Sequence, residues 1–172
     1  MESSEIGGDA KSQTEAAPRL FIDADGFPNI DLSLEIAKNN HIDVVLVGNY
    51  TQNLSRFEGR QGVEIMEVAE GSDAADFSII SAVKKGDMLL TGDIGLASVV
   101  LAAGVKVLDS RGNEYRAETI DYRLHKRHEG KKRRRGGGRT KGPRKLTSDD
   151  IEKFENKLNR LIDMASPSTS SG

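Results

Sequence analysis

Short apolar segments alternate with segments of helical periodicity through most of the chain, and this alternation constrains the fold more than any other feature. The clearest strand is predicted at residues 42–47, which are rich in β-branched side chains. Further strands are predicted at residues 19–22, 63–68, 87–91 and 105–108, of which the strand at 63–68 alternates apolar and polar side chains and is placed nearer an edge. Strands that alternate with helices indicate βαβ units. The sequence therefore predicts an α/β fold with three layers, a mostly parallel central sheet with helices on both faces.

The helices between these strands are predicted from apolar side chains at helical spacing. One follows Pro28, and others cover residues 73–85, 94–103 and 117–128. In the helix at 73–85 the side chains expected to face inward are Ala75, Ile79, Ile80 and Val83.

A last helix is predicted after Thr147, which is placed as its N-cap, with Asp149 and Asp150 in the first turn. Its apolar stripe consists of Ile151, Phe154, Leu158, Leu161 and Ile162. A stripe of this kind must be buried against another surface. We expect it to dock on its own domain, with a dimer interface as the alternative.

Length and composition indicate one domain. We expect disordered tails at 1–18 and 165–172 and a single domain at 19–164, which includes a basic, glycine-rich loop at 129–146 and the C-terminal helix at 147–164. The 172 residues include no cysteine, which excludes disulfides, thiolate zinc sites and cysteine nucleophiles. No secretory signal or apolar stretch of membrane-spanning length is found. A cytoplasmic monomer or homodimer without membrane association is therefore expected.

The net charge of −2 conceals a strong asymmetry along the chain. Residues 126–145 hold eleven of the 25 Lys and Arg and a single acid, Glu129, so the rest of the chain carries −12. A basic segment on an acidic body favours a polyanionic partner, with a solvated charge run as the alternative. The residues predicted to bind nucleic acid are Lys131, Lys132, Arg133, Arg134, Arg135 and Arg139.

Acidic side chains follow three of the predicted strands. Asp23 and Asp25 follow the first strand and Asp93 the fourth, while Asp73 and Asp76 lie after the third strand at a spacing that puts them on one helix face. Ligands in open α/β sheets bind beyond the carboxyl ends of the strands. Carboxylates gathered there repel one another unless a cation lies among them, and oxygen ligands suit Mg²⁺ or Mn²⁺. Such an ion can activate water and neutralise a phosphodiester.

Each acid also has a structural explanation. Asp73 and Asp93 could cap the helices that follow them, and Asp25 could be a turn residue. Asp23 is hardest to explain in this way, because it ends an apolar strand where burial penalises a lone charge. Asp87 is interpreted as an ordinary turn acid.

The motifs and their order along the chain resemble the YaiI/YqxD family of bacterial proteins, which belongs to the PIN-domain-like group. The matching segments within residues 19–163 are Ile22-Asp-Ala-Asp25, Gly71-Ser-Asp-Ala-Ala-Asp76, Thr91-Gly-Asp93, Arg111-Gly112 and Thr140-Lys-Gly-Pro143. The family usually has Ala-Cys before the proline, where this chain has Gly26-Phe27. The resemblance implies a PIN-like fold, in which acids at the strand ends hold Mg²⁺ or Mn²⁺ for cutting RNA or DNA.

The favoured hypothesis is a metal-dependent nuclease in which Asp23, Asp76 and Asp93 hold the metal. Asp25 or Asp73 would assist catalysis, and RNA is favoured over DNA as the partner. One alternative is a non-catalytic nucleic-acid-binding or regulatory protein on the same scaffold. Another is a phosphatase of the haloacid-dehalogenase kind, because residues 21–26 resemble that family's nucleophile motif. There Asp23 would attack phosphorus and Asp25 would act as acid and base.

Overall fold

The computed structural model describes residues 16–71, 73–122, 124 and 145–165. Its strands are β1 (Leu20–Asp23), β2 (Val44–Gly48), β3 (Val63–Glu67), β4 (Met88–Leu90), β5 (Lys106–Leu108) and β6 (Glu114–Tyr115). They form one six-stranded sheet in the order β3-β2-β1-β4-β5-β6, parallel throughout except for the antiparallel pair β5–β6. The predicted α/β fold with a mostly parallel sheet is confirmed.

Helices cover both faces of this sheet. They are α1 (Ile30–Asn39), α2 (Ala74–Ala82), α3 (Ile94–Ala102), α4 (117–122) and α5 (Ser148–Ala165). Buried side chains of α1 and α5 pack in one apolar cluster with one face of the sheet, and those of α2, α3 and α4 pack in a second cluster on the other face. None of the described helices has the length and apolar character that a membrane crossing requires.

The central strand β1 is buried on both faces. Leu20 and Ile22 belong to the cluster with α1 and α5, whereas Phe21 belongs to the cluster with α2 and α3. Successive side chains of a strand point to opposite faces, so Asp23 lies on the same face as Phe21. The edge strand β3 is only partly buried, which confirms the edge position expected from its alternating sequence.

The direction of the chain across the sheet changes between β1 and β4. From β1 the sheet continues through β2 to β3 on one side, and through β4 to β5 on the other. A change of this kind opens a crevice beyond the carboxyl ends of the two neighbouring strands. Asp23 ends β1 and Thr91 directly follows β4, so both lie at this crevice.

The C-terminal helix begins with the predicted cap. The backbone N–H of Asp150 donates to Thr147 Oγ1, and the backbone N–H of Thr147 donates to Asp150 Oδ2, both at 3.0 Å. Arg111 adds an ion pair to Asp150 at 2.8 Å. The stripe docks on its own domain as predicted, and its buried members are Phe154, Leu158, Leu161 and Ile162.

Two local predictions are wrong. The second helix ends at Ala82, because Val83 is extended, and Ile80 is 39% exposed where an inward position was expected. Asp87 is buried rather than an ordinary turn acid: its carboxylate accepts the backbone N–H groups of Arg19 at 2.9 Å and Lys84 at 2.8 Å. Asp87 therefore joins the amino ends of β1 and β4. Most of the predicted tails at 1–18 and 165–172 lies outside the described residues, as does most of the basic loop at 129–146.

Replacing Gly112 with alanine should destabilise the protein, because Gly112 packs against the backbone of α5. A Cβ at this position would lie 2.7 Å from the amide nitrogen of Phe154 and 2.8 Å from the carbonyl carbon of Lys153, at a φ of +83°. Positive φ costs an alanine about 1–2 kcal/mol, and overpacking adds about 1–3 kcal/mol. We expect Gly112→Ala to lower the free energy of unfolding in urea by about 2–5 kcal/mol.

The matched control is Gly59→Ala. Gly59 has a similar φ of +81°, but no atom lies within 4 Å of a Cβ built there. This variant should lose only the backbone contribution, about 1–2 kcal/mol. Equal losses in the two variants would contradict the close contact between Gly112 and α5.

Candidate functional site

A cleft of about 640 Å³ lies at the carboxyl edge of the sheet, at the crevice between β1 and β4. The side chains around it are carboxylates, amides, a hydroxyl and small residues. The carboxylates are Asp23, Asp25, Asp76 and Asp93, and the other lining residues are Asn49, Gln52, Thr51, Gly26, Gly71, Ala75 and Gly92. The structure thus brings four of the five predicted acids to one cleft.

Asp23 is the most deeply buried acid of the cleft and is 6% exposed. The hydroxyl of Thr91, which is fully buried, donates to Asp23 Oδ2 at 2.8 Å, and the backbone N–H of Asp25 approaches Oδ1 at 3.4 Å. The same hydroxyl oxygen accepts the backbone N–H of Asp93 at 3.0 Å. Thr91 therefore ties the ends of β1 and β4 together. We did not predict a role for Thr91, although its place directly after a strand was a signal.

Asp93 has the structural role that was considered for it. It is the N-cap of α3, and its Oδ1 accepts the backbone N–H of Leu96 at 3.1 Å. A capping carboxylate at a helix N-terminus is also favoured by the helix dipole. Asp93 therefore fixes the start of α3 at the cleft, whatever else its carboxylate binds.

Asp25 lies in the turn after β1, and its side chain is oriented by Gln52, which lies in the turn after the neighbouring strand β2. Gln52 Nε2 donates to Asp25 Oδ1 at 3.4 Å, while Gln52 Oε1 accepts the backbone N–H of Asn49 at 2.8 Å. Gly48, which ends β2, leaves room for this amide, because a Cβ there would lie 2.5 Å from Gln52 Oε1. Asn49 and Gln52 are site residues that the sequence analysis missed. Both are amides, and the site was predicted from acidic residues that follow strands.

Asp73 and Asp76 lie at the start of α2. Asp73 is at the N-cap position, but its side chain makes no capping hydrogen bond, so the capping explanation is not supported. Burial raises the pKa of Asp76 to about 6, and the charges of Asp93, Asp23, Asp73 and Asp25 add to this effect in that order. The other four predicted acids therefore all act electrostatically on Asp76.

The pKa of Asp23 is also raised. Burial is the main cause, and the charges of Asp25 and Asp93 contribute, whereas the hydrogen bond from Thr91 acts in the opposite direction. A carboxyl group whose pKa is raised in this way is destabilised in its ionised form. The cleft therefore carries negative charge at a free-energy cost that a bound cation would offset.

The chemistry of the cleft fits a hard divalent cation. Its polar atoms are carboxylate, amide and hydroxyl groups, which supply the oxygen ligands that Mg²⁺ and Mn²⁺ prefer. No group of three or more His, Asp or Glu within the described ranges is already arranged to hold a metal ion. Binding would therefore require carboxylates around Asp23 to move toward the ion, and the assignment of Asp23, Asp76 and Asp93 as ligands stays a prediction.

The predicted nucleic-acid-binding residues cannot be related to this cleft. Lys131, Lys132, Arg133, Arg134, Arg135 and Arg139 lie outside the residues that the structure describes.

The raised pKa of Asp76 should make stability depend on pH. The ordinary pKa is 3.8 and that in the folded protein is about 6, so the folded state binds the proton more tightly. Its contribution to stability is present below the ordinary pKa and is lost as pH rises through the folded one. In EDTA, the free energy of unfolding measured in urea should therefore fall between about pH 4 and pH 7, and Asp76→Asn should flatten this fall.

Asp163→Asn serves as the control for this experiment. It removes an acidic side chain from the exposed side of α5, on the other face of the sheet, and should leave the pH profile as in the wild type. If Asp76→Asn and the wild type gave the same profile, the acids of the cleft would not be coupled as described.

Comparisons with known proteins identify relatives over most of the chain. The family model described as "Uncharacterized BCR, YaiI/YqxD family" matches residues 21–164. A UPF0178 protein of Enterococcus faecalis is 41% identical over 144 residues, which are 84% of this chain and 97% of the relative. A UPF0178 protein of Exiguobacterium sibiricum is 36% identical over 84% of this chain and 96% of its own length. No solved structure matches the chain, so the PIN-like character of the fold stays an expectation. By the family model and by these relatives, the chain belongs to the YaiI/YqxD family.

Proposed function

We propose that the protein is a metal-dependent nuclease that cleaves phosphodiester bonds of RNA or DNA in the cleft between β1 and β4. The observation that carries the proposal is the gathering of four carboxylates around one cleft, where burial and mutual repulsion raise the pKa values of Asp23 and Asp76. Perturbed acids in a cleft are typical of functional sites. A bound divalent cation would offset the cost of such an arrangement.

The acids of the cleft would have different roles in catalysis. Asp23, Asp76 and Asp93 would hold Mg²⁺ or Mn²⁺, which supplies a water nucleophile and neutralises charge on the phosphodiester. Asp23 is fixed for this task by Thr91, so its carboxylate does not have to be ordered when an ion binds. Asp25 is exposed and turned by Gln52, which suits it to accept a proton from the attacking water.

The phosphatase alternative is weakened by the environment of Asp23. A nucleophilic carboxylate must reach the phosphorus atom with a free oxygen. Asp23 is 6% exposed, its Oδ2 accepts a hydrogen bond from Thr91, and the backbone N–H of Asp25 approaches its Oδ1. A non-catalytic nucleic-acid-binding protein is the remaining alternative, and the absence of cleavage in the following assay would favour it.

The wild-type protein should cleave single-stranded RNA or DNA in Mn²⁺ or Mg²⁺, and EDTA should abolish cleavage. Asp23→Asn should reduce the cleavage rate by more than the roughly 10–100-fold that loss of an outer-shell partner costs a metal site. Gel analysis of end-labelled RNA and DNA substrates measures these rates.

The control is Asp109→Asn. Asp109 also follows a strand at this edge of the sheet, but its carboxylate accepts the backbone N–H groups of Arg111 and Asn113 within its own turn, and it does not line the cleft. Cleavage should survive this change. Activity that persists equally in Asp23→Asn, or that is indifferent to EDTA, would refute the metal-dependent mechanism.

The basic segment is proposed to hold the phosphate backbone. Each neutralised phosphate of a single strand adds roughly −0.7 to the slope of log affinity against log salt. Replacing Arg133, Arg134 and Arg135 with alanine should therefore flatten this slope by about two units, with little dependence on base sequence. Fluorescence anisotropy with labelled oligonucleotides at several salt concentrations measures the slope.

A second triple variant controls for the loss of positive charge. Lys38, Lys84 and Arg160 are exposed basic residues of the described part of the chain, so their replacement by alanine changes the net charge equally. The slope of this variant should stay near that of the wild type. Equal flattening in both variants would mean that the basic segment makes no specific phosphate contacts.

A further inference from the structure

Three exposed aromatic side chains stand out on the described surface, because the other aromatic residues of the chain are buried. Phe21, Phe27, Phe57, Phe154 and Tyr115 are at most 7% exposed. Tyr50 is 67% exposed, Phe77 69% and Tyr122 64%. Tyr50 belongs to the turn after β2 whose other residues, Asn49, Thr51 and Gln52, line the acidic cleft. The backbone of Tyr50 therefore lies at the rim of the proposed catalytic site, and its side chain lies outside the lining of the cleft.

The turn that carries Tyr50 is held rigidly. It begins with a capping box, in which the side chain of Asn49 accepts the backbone N–H of Thr51 at 2.9 Å and the side chain of Gln52 accepts the backbone N–H of Asn49 at 2.8 Å. The absent side chain of Gly48 lets Gln52 pack closely beneath it. The backbone of Tyr50 is thus fixed relative to the end of β2.

The ring of Tyr50 is also held at its far end. Its hydroxyl lies 3.1 Å from Glu70 Oε1, to which it donates a hydrogen bond, and Glu70 lies in the segment after β3. The ring therefore spans the space between two loops while most of its surface stays open to solvent. An aromatic ring fixed in this way loses little conformational entropy when a planar partner stacks on it.

The surroundings of the ring favour an uncharged planar partner. Glu70 and the carboxylates of the cleft lie nearby, so phosphate groups are repelled there unless a cation is bound. A nucleobase has no charge and can stack on an aromatic face, a contact that does not depend on base identity. A base in a duplex is already stacked on both of its faces, so neither face is free to stack on the ring of Tyr50.

We propose that the cleft takes single-stranded nucleic acid, with one unstacked base next to the scissile phosphodiester stacked on the ring of Tyr50. This inference rests on the proposed nuclease function, because it names the form of the substrate for the same cleft. It adds the ring of Tyr50 as a binding element outside the acidic cluster, which contributes affinity through stacking and not through charge.

The test measures binding of the full chain to an oligonucleotide of about 12 nucleotides, within the site sizes of single-strand binders, and to its duplex. The buffer contains Ca²⁺, which also binds carboxylate oxygens, in place of the Mg²⁺ or Mn²⁺ that are expected to support cleavage. Tyr50→Leu should lower single-strand affinity by about 5- to 150-fold, the equivalent of roughly 1–3 kcal/mol for one base–aromatic stack. Tyr50→Phe keeps the ring and should stay within about threefold of the wild type, because stacking needs only the aromatic face. Affinity for the duplex should be the same in all three proteins. Gel analysis confirms that the oligonucleotides stay intact, and thermal melting confirms folding.

Tyr122→Leu is the matched control, because it removes an equally exposed tyrosine from α4, outside the cleft. An abasic nucleotide moved along the strand adds a second test: one position should weaken wild-type binding and have no further effect in Tyr50→Leu. Unchanged single-strand affinity in Tyr50→Leu would overturn the inference, as would an equal loss in Tyr122→Leu or in Tyr50→Phe.

The outcomes separate this inference from the nuclease proposal. Cleavage that depends on Asp23 but is indifferent to Tyr50→Leu, with unchanged affinity, would refute stacking and leave the nuclease proposal intact. A loss of single-strand affinity in Tyr50→Leu, in a protein that cleaves nothing, would support stacking and refute the nuclease. A wild-type protein that does not bind the single strand would overturn the stacking inference.

Discussion

The hydrogen bond from the hydroxyl of Thr91 to the carboxylate of Asp23 is the contact on which the rest of the cleft depends. Both residues are buried, so water does not compete for this bond. It joins the ends of β1 and β4, the two neighbouring strands where the sheet changes direction. Because the same hydroxyl oxygen accepts the backbone N–H of Asp93, a shift of either strand would move the start of α3 as well. Strand order and site geometry are thereby coupled through one side chain.

The acids of the cleft destabilise the folded protein, whereas the remainder of the fold stabilises it. The strands β1, β2 and β4 are buried along their length and pack between two apolar clusters, which stabilises the sheet through burial of apolar surface. At the cleft beyond their carboxyl ends, burial and neighbouring carboxylates raise the pKa values of Asp23 and Asp76, so the ionised forms of these two acids are destabilised. Conflict between a site and its scaffold is typical of positions selected for binding or catalysis. This contrast is why we place function at this edge of the sheet.

The sequence predicted the features that follow from local pattern. The apolar strands, the parallel sheet and the cap at Thr147 are confirmed, because each depends on residues close together in the chain. The features that were missed depend on distant contacts. Asp87 is buried through a partner 68 residues away, Arg19, and the amide of Gln52 reaches Asp25 across 27 residues. The two-residue strand β6 is too short to produce a periodic pattern. The acids of the site were predictable because strand order brings strand ends together, whereas the side chains that orient them were not.

The central claim is that the carboxylates at this edge bind a divalent cation, and its most direct test is anomalous diffraction from crystals that contain Mn²⁺. We expect a peak of anomalous density in the cleft, from an ion bound to carboxylate oxygens of Asp23, Asp76 and Asp93 at about 2.0–2.6 Å, the span of bonds to hard divalent cations. We also expect these carboxylates to lie closer together than in the metal-free protein. A cleft without a peak under saturating Mn²⁺, or a peak coordinated by other residues, would contradict metal binding by these three acids.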